Sequence, residues 1–249
     1  MHELLGAANA VLPDIVTLRR DLHRYPELGL DNPATQARVM EALSDLPLDV
    51  RAGTGTTSVV ADLTGDRDGP TVLLRADTDA LPMTEDTGLE YQSTVEGRAH
   101  ACGHDAHTAM LVGAARILSD RRDEIPGRVR FMFQPGEEGF AGARVMIDEG
   151  VLDGVDRAFA LHISPNQRVG VASCRPGAVL AGDTSITCTI TGRGGHASAP
   201  YRATDPIPVA AAIITALQTA VTREIDVFDP AVLTIAHLVA GTTINVIPE

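Results

Sequence analysis

The sequence predicts an α/β protein with a second, smaller α+β unit, and two observations support that prediction. Over residues 1–181, short apolar runs typical of strands alternate with segments of helical periodicity, which favours a sheet with helices on both faces. Beyond residue 182 the order becomes strand, helix, strand, strand, and the first of these strands alternates apolar and polar residues like a half-exposed antiparallel strand. We therefore expect one domain at residues 1–181 and another at 182–249.

Helix and strand signals predict the elements of the first domain in order. Ile15, Leu18 and Leu22 share one face of a helix that ends near Pro26, and Asn32-Pro33 opens a second helix with proline at its first position. The remaining predicted elements are strands at 59–61 and 71–74 on either side of a turn at 65–70, a helix at 106–118, a strand at 129–133, a helix at 141–149 and a strand at 158–161.

The second domain is predicted to combine one long helix with short strands. The apolar helix is expected at 206–223, and the strands at 184–190, 232–235 and 244–247. The last strand would leave an unpaired sheet edge, so we expect this domain to be incomplete.

Composition argues against several classes of function. The net charge is −13, and arginine occurs in short pairs rather than clusters, which argues against nucleic-acid binding. No apolar run is long enough to cross a bilayer, and the first residues lack the basic segment of a signal peptide. Three cysteines do not describe a disulfide framework and fit a reducing compartment. We therefore expect a soluble, cytoplasmic protein whose partners include neither nucleic acid nor membrane.

Candidate metal ligands follow the carboxyl ends of several predicted strands. Each of them, taken alone, is more often structural or solvated than a ligand. The carboxyl ends of strands in an open α/β sheet form one crevice, however, and these groups together supply nitrogen, sulfur and oxygen donors. The sequence therefore favours a metal site formed by three strand ends and one loop: Asp77, Asp79, Glu137, Glu138, His162, Cys102 and His104.

Six blocks of the sequence carry a family resemblance. They are RADTDALP at 75–82, HACGHDAHTA at 100–109, FQPGEE at 133–138, ALH at 160–162, GRGGHASAP at 192–200 and GTTINVIP at 241–248. Together they resemble the aminoacylase-like branch of the peptidase M20 metallo-amidohydrolases, which includes N-acyl-amino-acid, hippurate and auxin-conjugate hydrolases. The resemblance implies a zinc-peptidase-like catalytic domain with a mixed sheet flanked by helices, and a partial, ferredoxin-like lid and dimerisation domain.

The resemblance also implies a role for each residue of the site. Two divalent ions per site would be held by one thiolate, two imidazoles and one carboxylate: Cys102, His104, His162 and Glu138. Cys102 could bridge both ions. Glu137 corresponds to the general base, and Asp77 to a carboxylate that orients a ligand. In the lid, His196 corresponds to a catalytic, substrate-contacting histidine that reaches the active site of a dimer partner, and Asn245 to a residue that binds the substrate's carboxylate. A thiolate ligand lowers the preference for Mg²⁺, so we expect Zn²⁺, Mn²⁺, Co²⁺ or Ni²⁺.

The implied function is hydrolysis of the amide bond of N-acyl amino acids by a metal-bound water that Glu137 activates. The partners would be a small N-acyl amino acid or short peptide, and a second copy of the chain in a homodimer formed through the lid. Family members continue beyond the position of Glu249 and supply a final histidine ligand there, so we expect a C-terminally truncated form. Two alternatives stay open: a dipeptidase or aminopeptidase of the same superfamily, and a metal-binding fragment with impaired catalysis.

Overall fold

A five-stranded mixed sheet forms the centre of the first of two units. The computed structural model describes residues 2–182 and 184–249, and the chain divides into the units Met1–Val171 and Ala172–Glu249. The domain limits 1–181 and 182–249 stay a prediction. The strands of the first unit are β1 (Asp49–Ala52), β2 (Val59–Thr64), β3 (Arg67–Asp77), β4 (Pro126–Gln134) and β5 (Arg157–Ala160).

The order of these strands brings three carboxyl ends to one edge. Neighbours in the sheet follow the order β1-β2-β4-β3-β5. β2 is antiparallel to β1 and β4, whereas β3 runs parallel to both β4 and β5. Asp77 at the end of β3 pairs with Gln134 at the end of β4, and Arg75 pairs with Ala160 at the end of β5. Residues that follow these three strands therefore leave the sheet at nearly the same level.

Helices cover both faces of this sheet. They are α1 (His2–Arg24), α2 (Pro33–Leu43), α3 (His104–Ser119) and α4 (Gly142–Asp148). Successive residues of β2 point to opposite faces. Val59, Ala61 and Leu63 belong to the core that α1, α2 and α3 complete, whereas Val60 is buried with Met146 of α4. The predicted α/β class, a mixed sheet between helices, is thus confirmed.

Two details of the first unit differ from the prediction. β1 was not predicted, because its alternation of polar and apolar residues extends over only four residues, too few to indicate a strand. The turn predicted at 65–70 is wrong for its second half, since Arg67 already pairs with Pro126 and β3 continues through an irregularity before Thr71. Backbone pairing with β4 overrides the turn preference of the glycine and proline in this stretch.

A buried ion pair joins β2 and β4 on the face that α4 covers. Asp62 and Arg130 are register partners and are both buried. The guanidinium donates from Nε to Asp62 Oδ1 at 2.8 Å and from Nη2 to Oδ2 at 3.0 Å. Its third nitrogen, Nη1, donates to the carbonyl of Val151 at 2.8 Å. The arginine therefore connects the sheet to the segment that follows α4.

A second buried polar network joins the end of α1 to the start of α3. The Nδ1 of His23 lies 2.8 Å from Asp105 Oδ2, and its Nε2 lies 3.2 Å from Glu85 Oε1. Arg19 donates from Nε to the same Asp105 oxygen at 2.8 Å. The hydrogen bond to Asp105 raises the pKa of His23, and the bond to Glu85 adds to this against the opposing effect of burial.

This network predicts a pH-dependent stability. Because the pKa of His23 is higher in the folded than in the unfolded chain, its protonation stabilises the fold fully below about pH 6.5, and this stabilisation is lost as pH rises through the folded-state pKa. We expect His23→Gln to lower the free energy of unfolding more at about pH 5.5 than at about pH 9. Urea denaturation at both pH values measures this.

The same change at the exposed His237 serves as the control and should cost equally little at both pH values. A His23→Gln penalty that does not vary with pH would contradict the charged pair.

The second unit contains one long helix and a short antiparallel pair. The helix α5 (Pro206–Glu224) begins after Asp205, whose side chain accepts the N–H of Ile207 at 3.0 Å. β6 (Gly195–His196) pairs antiparallel with β7 (Val246–Ile247). The predicted helix is confirmed. In the described parts of the chain, no helix is both long enough and apolar enough to span a membrane.

Two predicted strands of the second unit are wrong. The stretches 184–190 and 232–235, both described by the structure, form no strand, and the predicted strand at 244–247 is reduced to β7. Apolar side chains in these stretches pack against little of the protein, since Ile186 is 85% exposed and Val232 is 91% exposed. Alternation sets which face of a strand is apolar, but a strand also needs neighbours to pair with.

Candidate metal centre

The candidate site lies where the three parallel strands end and α3 begins. Asp79, the Glu137–Glu138 pair and His162 all follow strand ends, as the sequence predicted. His104 is the first residue of α3, directly after Gly103, which has a left-handed φ of 91°. Glycine adopts this conformation without strain, so the chain can turn sharply from the Cys102 loop into the helix.

His104 occupies the centre of the site and is fully buried. Its Nε2 lies 3.5 Å from Asp77 Oδ2 and 3.8 Å from an oxygen of both Glu137 and Glu138. Its Nδ1 lies 3.7 Å from Asp79 Oδ1. None of these distances is a hydrogen bond, and both ring nitrogens are buried without a partner. Burial opposes protonation of the ring, yet the carboxylates of Asp79 and Asp77 outweigh it and raise the pKa of His104.

Cys102 and His162 form the second part of the site. Cys102 Sγ lies 3.3 Å from His162 Nε2. His162 Nδ1 lies 2.6 Å from the carbonyl oxygen of Ile163, which can only accept, so we assign the proton to Nδ1 and the lone pair to Nε2. Burial, followed by the negative charge of Glu138, raises the pKa of the Cys102 thiol to about 12. A thiol in this setting ionises only when a cation compensates the charge.

These residues fit a divalent cation. Cys102, His104 and His162 place one donor atom each within 4.8 Å of one another, and so do His104, Glu137 and Glu138. Glu138 Oε1 is buried without a hydrogen-bond partner, like the nitrogens of His104. Sulfur, imidazole nitrogen and carboxylate oxygen together suit zinc and similar transition metals better than magnesium. The four predicted ligands thus belong to two overlapping groups that share His104.

A third group, Asp77, His104 and His107, is arranged differently. His107 Nδ1 lies 2.6 Å from Asp77 Oδ1, and its Nε2 accepts the N–H of Ile163 at 2.9 Å, so both ring nitrogens are engaged. Arg75 donates to the other oxygen of Asp77 at 2.7 Å. Asp77 is therefore fixed by two side chains beside His104, in keeping with the orienting role that the sequence predicts for it.

Glu137 differs from its neighbour by reaching towards solvent. Its side chain is 42% exposed, compared with 24% for Glu138. Burial raises the pKa of Glu137, and the charge of Glu138 raises it further. A carboxylate with a raised pKa at the open side of a metal site has the properties of a general base.

The sequence reasoning missed the part that Asp79 plays. Its two oxygens accept the backbone N–H groups of Glu137 and Glu138 at 2.9 and 3.0 Å. The available signal was the spacing Asp77-Thr78-Asp79 at a strand end, which can direct two carboxylates to one side.

The two predicted residues of the second unit lie next to each other. His196 is in β6, and the carbonyl of Asn245, just before β7, accepts the N–H of Ala197 at 3.1 Å. The N–H of Ser198 donates to His196 Nδ1 at 3.2 Å, so we assign the ring proton to Nε2, which can then donate a hydrogen bond. Asn245 Oδ1 accepts from Thr243 Oγ1 at 3.0 Å. Their roles towards a substrate stay predictions.

Several known proteins are similar to this chain in sequence. The sequence pattern of peptidase family M20/M25/M40 matches residues 73–247. The chain is 42% identical over 235 residues to N-acetyl-L-cysteine deacetylase of Bacillus subtilis, covering 94% of this chain and 56% of that protein. It is 40% identical over 249 residues to N-acyl-L-amino acid amidohydrolase of Geobacillus stearothermophilus, covering 99% of this chain and 67% of that protein. The chain therefore spans roughly half to two thirds of the length of these relatives.

Solved structures show the same likeness. A putative aminohydrolase from methicillin-resistant Staphylococcus aureus superimposes with a TM-score of 0.81 at 33% identity, covering 100% of this chain and 66% of that one. A Bacillus subtilis protein described as a dinuclear metal-binding peptidase of the M20 family superimposes with a TM-score of 0.62 at 42% identity, covering 64% of this chain and 44% of that one.

Proposed function

The chain belongs to peptidase family M20/M25/M40, and from that premise we propose that it hydrolyses the amide bond of N-acyl amino acids. The observation that carries the proposal is the buried His104, whose Nε2 faces three carboxylates without a hydrogen bond to any of them. Relatives named as deacetylases and amidohydrolases of N-acyl amino acids, at 40–42% identity, support this substrate class.

We propose that Cys102, His104, Glu138 and His162 would hold two divalent cations. The dinuclear description of one M20 structure supports this number, and the mixed donor set supports Zn²⁺, Mn²⁺, Co²⁺ or Ni²⁺. Bound cations would polarise the amide carbonyl and lower the pKa of the attacking water. Because the imidazole of His162 is held through Nδ1, its Nε2 is already turned towards the site.

In this proposal Glu137 moves the proton. Its carboxylate accepts a proton from the attacking water and then delivers it to the nitrogen of the leaving amino acid. Asp77 holds its position beside His104 through Arg75 and His107. The contribution of His196 and Asn245 to substrate binding, and a homodimer formed through the second unit, are further parts of the proposal that rest on the family resemblance.

A substrate panel tests the proposal. The protein, dialysed against a chelator and reloaded with Zn²⁺ or Mn²⁺, is incubated with N-acetyl and N-benzoyl amino acids and with free dipeptides. We expect metal-dependent release of amino acid from the acylated compounds. Preferential cleavage of dipeptides would favour the peptidase alternative. Metal binding without hydrolysis of either class would reject the proposed activity.

Removing the Cys102 thiolate should weaken metal binding. We expect Cys102→Ser to lower the affinity for Zn²⁺ by at least about tenfold. Removing a residue that only orients a metal ligand typically lowers metal affinity about tenfold or more, and removing the ligand itself should lower it at least as much. Isothermal titration calorimetry on the metal-free protein measures this. Cys174→Ser, the same change at an exposed free cysteine, is the control. Equal affinities of the two variants would exclude Cys102 as a ligand.

A further inference from the structure

Asp79 is a fully buried carboxylate that touches three parts of the site. It follows β3 by two residues. Oδ1 accepts the backbone N–H of Glu137 at 2.9 Å, and Oδ2 accepts that of Glu138 at 3.0 Å. Its Oδ1 also lies 3.7 Å from Nδ1 of His104, the ring nitrogen turned away from the other carboxylates. A single side chain thus contacts the backbone of two acidic site residues and faces the central imidazole.

The segment that Asp79 holds is an irregular turn. Gly136 and Gly139, on either side of the two glutamates, have left-handed φ angles of 69° and 84°. Both glutamate N–H groups point back to one carboxylate, and such charge-assisted bonds to backbone amides are stronger than neutral ones. The direction of the Glu137 and Glu138 side chains therefore depends on where Asp79 stands.

We propose that Asp79 is a positioning residue, which sets the placement of Glu137 and Glu138 relative to His104. This inference rests on the proposed function for the roles of the glutamates, but the hydrogen bonds that support it do not depend on that function. Asp79 contacts neither substrate nor cation in this assignment. It acts through the two backbone amides that donate to its carboxylate.

The substitution Asp79→Asn isolates this role, because it conserves shape while replacing one acceptor oxygen with a donor group. One of the two glutamate amides then faces an N–H instead of a carboxylate oxygen, and the turn must shift. We expect the affinity for Zn²⁺, titrated calorimetrically into the metal-free protein, to fall by about 10–100-fold. We also expect kcat to fall by at least about tenfold with KM changed by less than about threefold, because the substrate itself loses no contact.

Asp156→Asn is the matched control. The carboxylate of Asp156 also accepts a backbone N–H, that of Thr71 at 2.8 Å, but it directly precedes β5, at the end of that strand away from the site. This variant should keep the wild-type metal affinity and kcat. An Asp79→Asn protein with wild-type affinity and kcat would overturn the proposal, and so would an equal loss in Asp156→Asn.

Two further measurements keep the outcomes distinct. If Asp79→Asn fails to fold, judged by circular dichroism, Asp79→Ser replaces it, since serine retains one acceptor without the amide donor. Failure of both variants to fold would make Asp79 a general structural residue and overturn the proposal. If the wild-type protein hydrolyses none of the substrates, the proposed function fails, and the metal titrations alone then decide the role of Asp79.

Discussion

Replacing Glu137 with glutamine is expected to lower kcat for amide hydrolysis by about 10²–10⁴-fold, with bound metal unchanged. Glutamine has the size of glutamate and keeps the backbone N–H that donates to Asp79. It cannot accept a proton from water at neutral pH, so only the base is removed. The 42% exposure of the side chain means that the change leaves no buried group without a partner.

The measurement combines steady-state kinetics with elemental analysis of the purified variant. Glu138→Gln provides the contrast, because this neighbour is assigned as a ligand and its loss should reduce metal content as well as rate. Activity of Glu137→Gln within a few-fold of wild type would show that another group is the base. A loss of metal in Glu137→Gln equal to that in Glu138→Gln would make Glu137 a ligand instead.

The largest effect on stability is expected for Arg130→Met. This change removes the bidentate partner of Asp62 and leaves its carboxylate buried, which typically costs about 3–5 kcal/mol. Two other guanidinium groups should reduce this cost in stability, because they remain close to the Asp62 carboxylate. Nη1 of Arg51 lies 3.2 Å from Asp62 Oδ2, and Nη1 of Arg128 lies 3.8 Å from it. We therefore expect a value near the lower end, about 3 kcal/mol.

Denaturation in guanidinium chloride measures this free energy. Arg144→Met is the matched control, because Arg144 forms an exposed pair with Asp148 one helical turn away and should lose no more than about 0.5 kcal/mol. The double variant Asp62→Leu/Arg130→Met should recover part of the loss, because no charge is then left buried without its partner. A cost for Arg130→Met similar to that of Arg144→Met would contradict a buried ion pair.

The positions of the strand ends made the side chains of the candidate metal centre predictable. Cys102, His104, Glu138 and His162 all follow or precede regular elements whose periodicity is readable, so their convergence at one edge could be inferred. The family resemblance added the distinction between Glu137 and Glu138, which no spacing argument provides.

Other parts of the structure depend on contacts that a single sequence does not display. The bonds from Asp79 to two amides need the exact turn between Gly136 and Gly139, and a turn's geometry is not encoded by periodicity. The stretch 184–190 illustrates a different difficulty. Its residues alternate between apolar and polar, as in a strand, but in the structure it has no neighbouring strand with which to form a sheet.

The main chain of Ile163 holds two imidazoles at once, since its N–H donates to His107 and its carbonyl accepts from His162. Every amino acid except proline can supply both of these groups, whatever its side chain. The orientation of both rings therefore depends on the main chain at this position and not on the chemical character of its side chain. A proline at this position would remove the N–H that donates to Nε2 of His107.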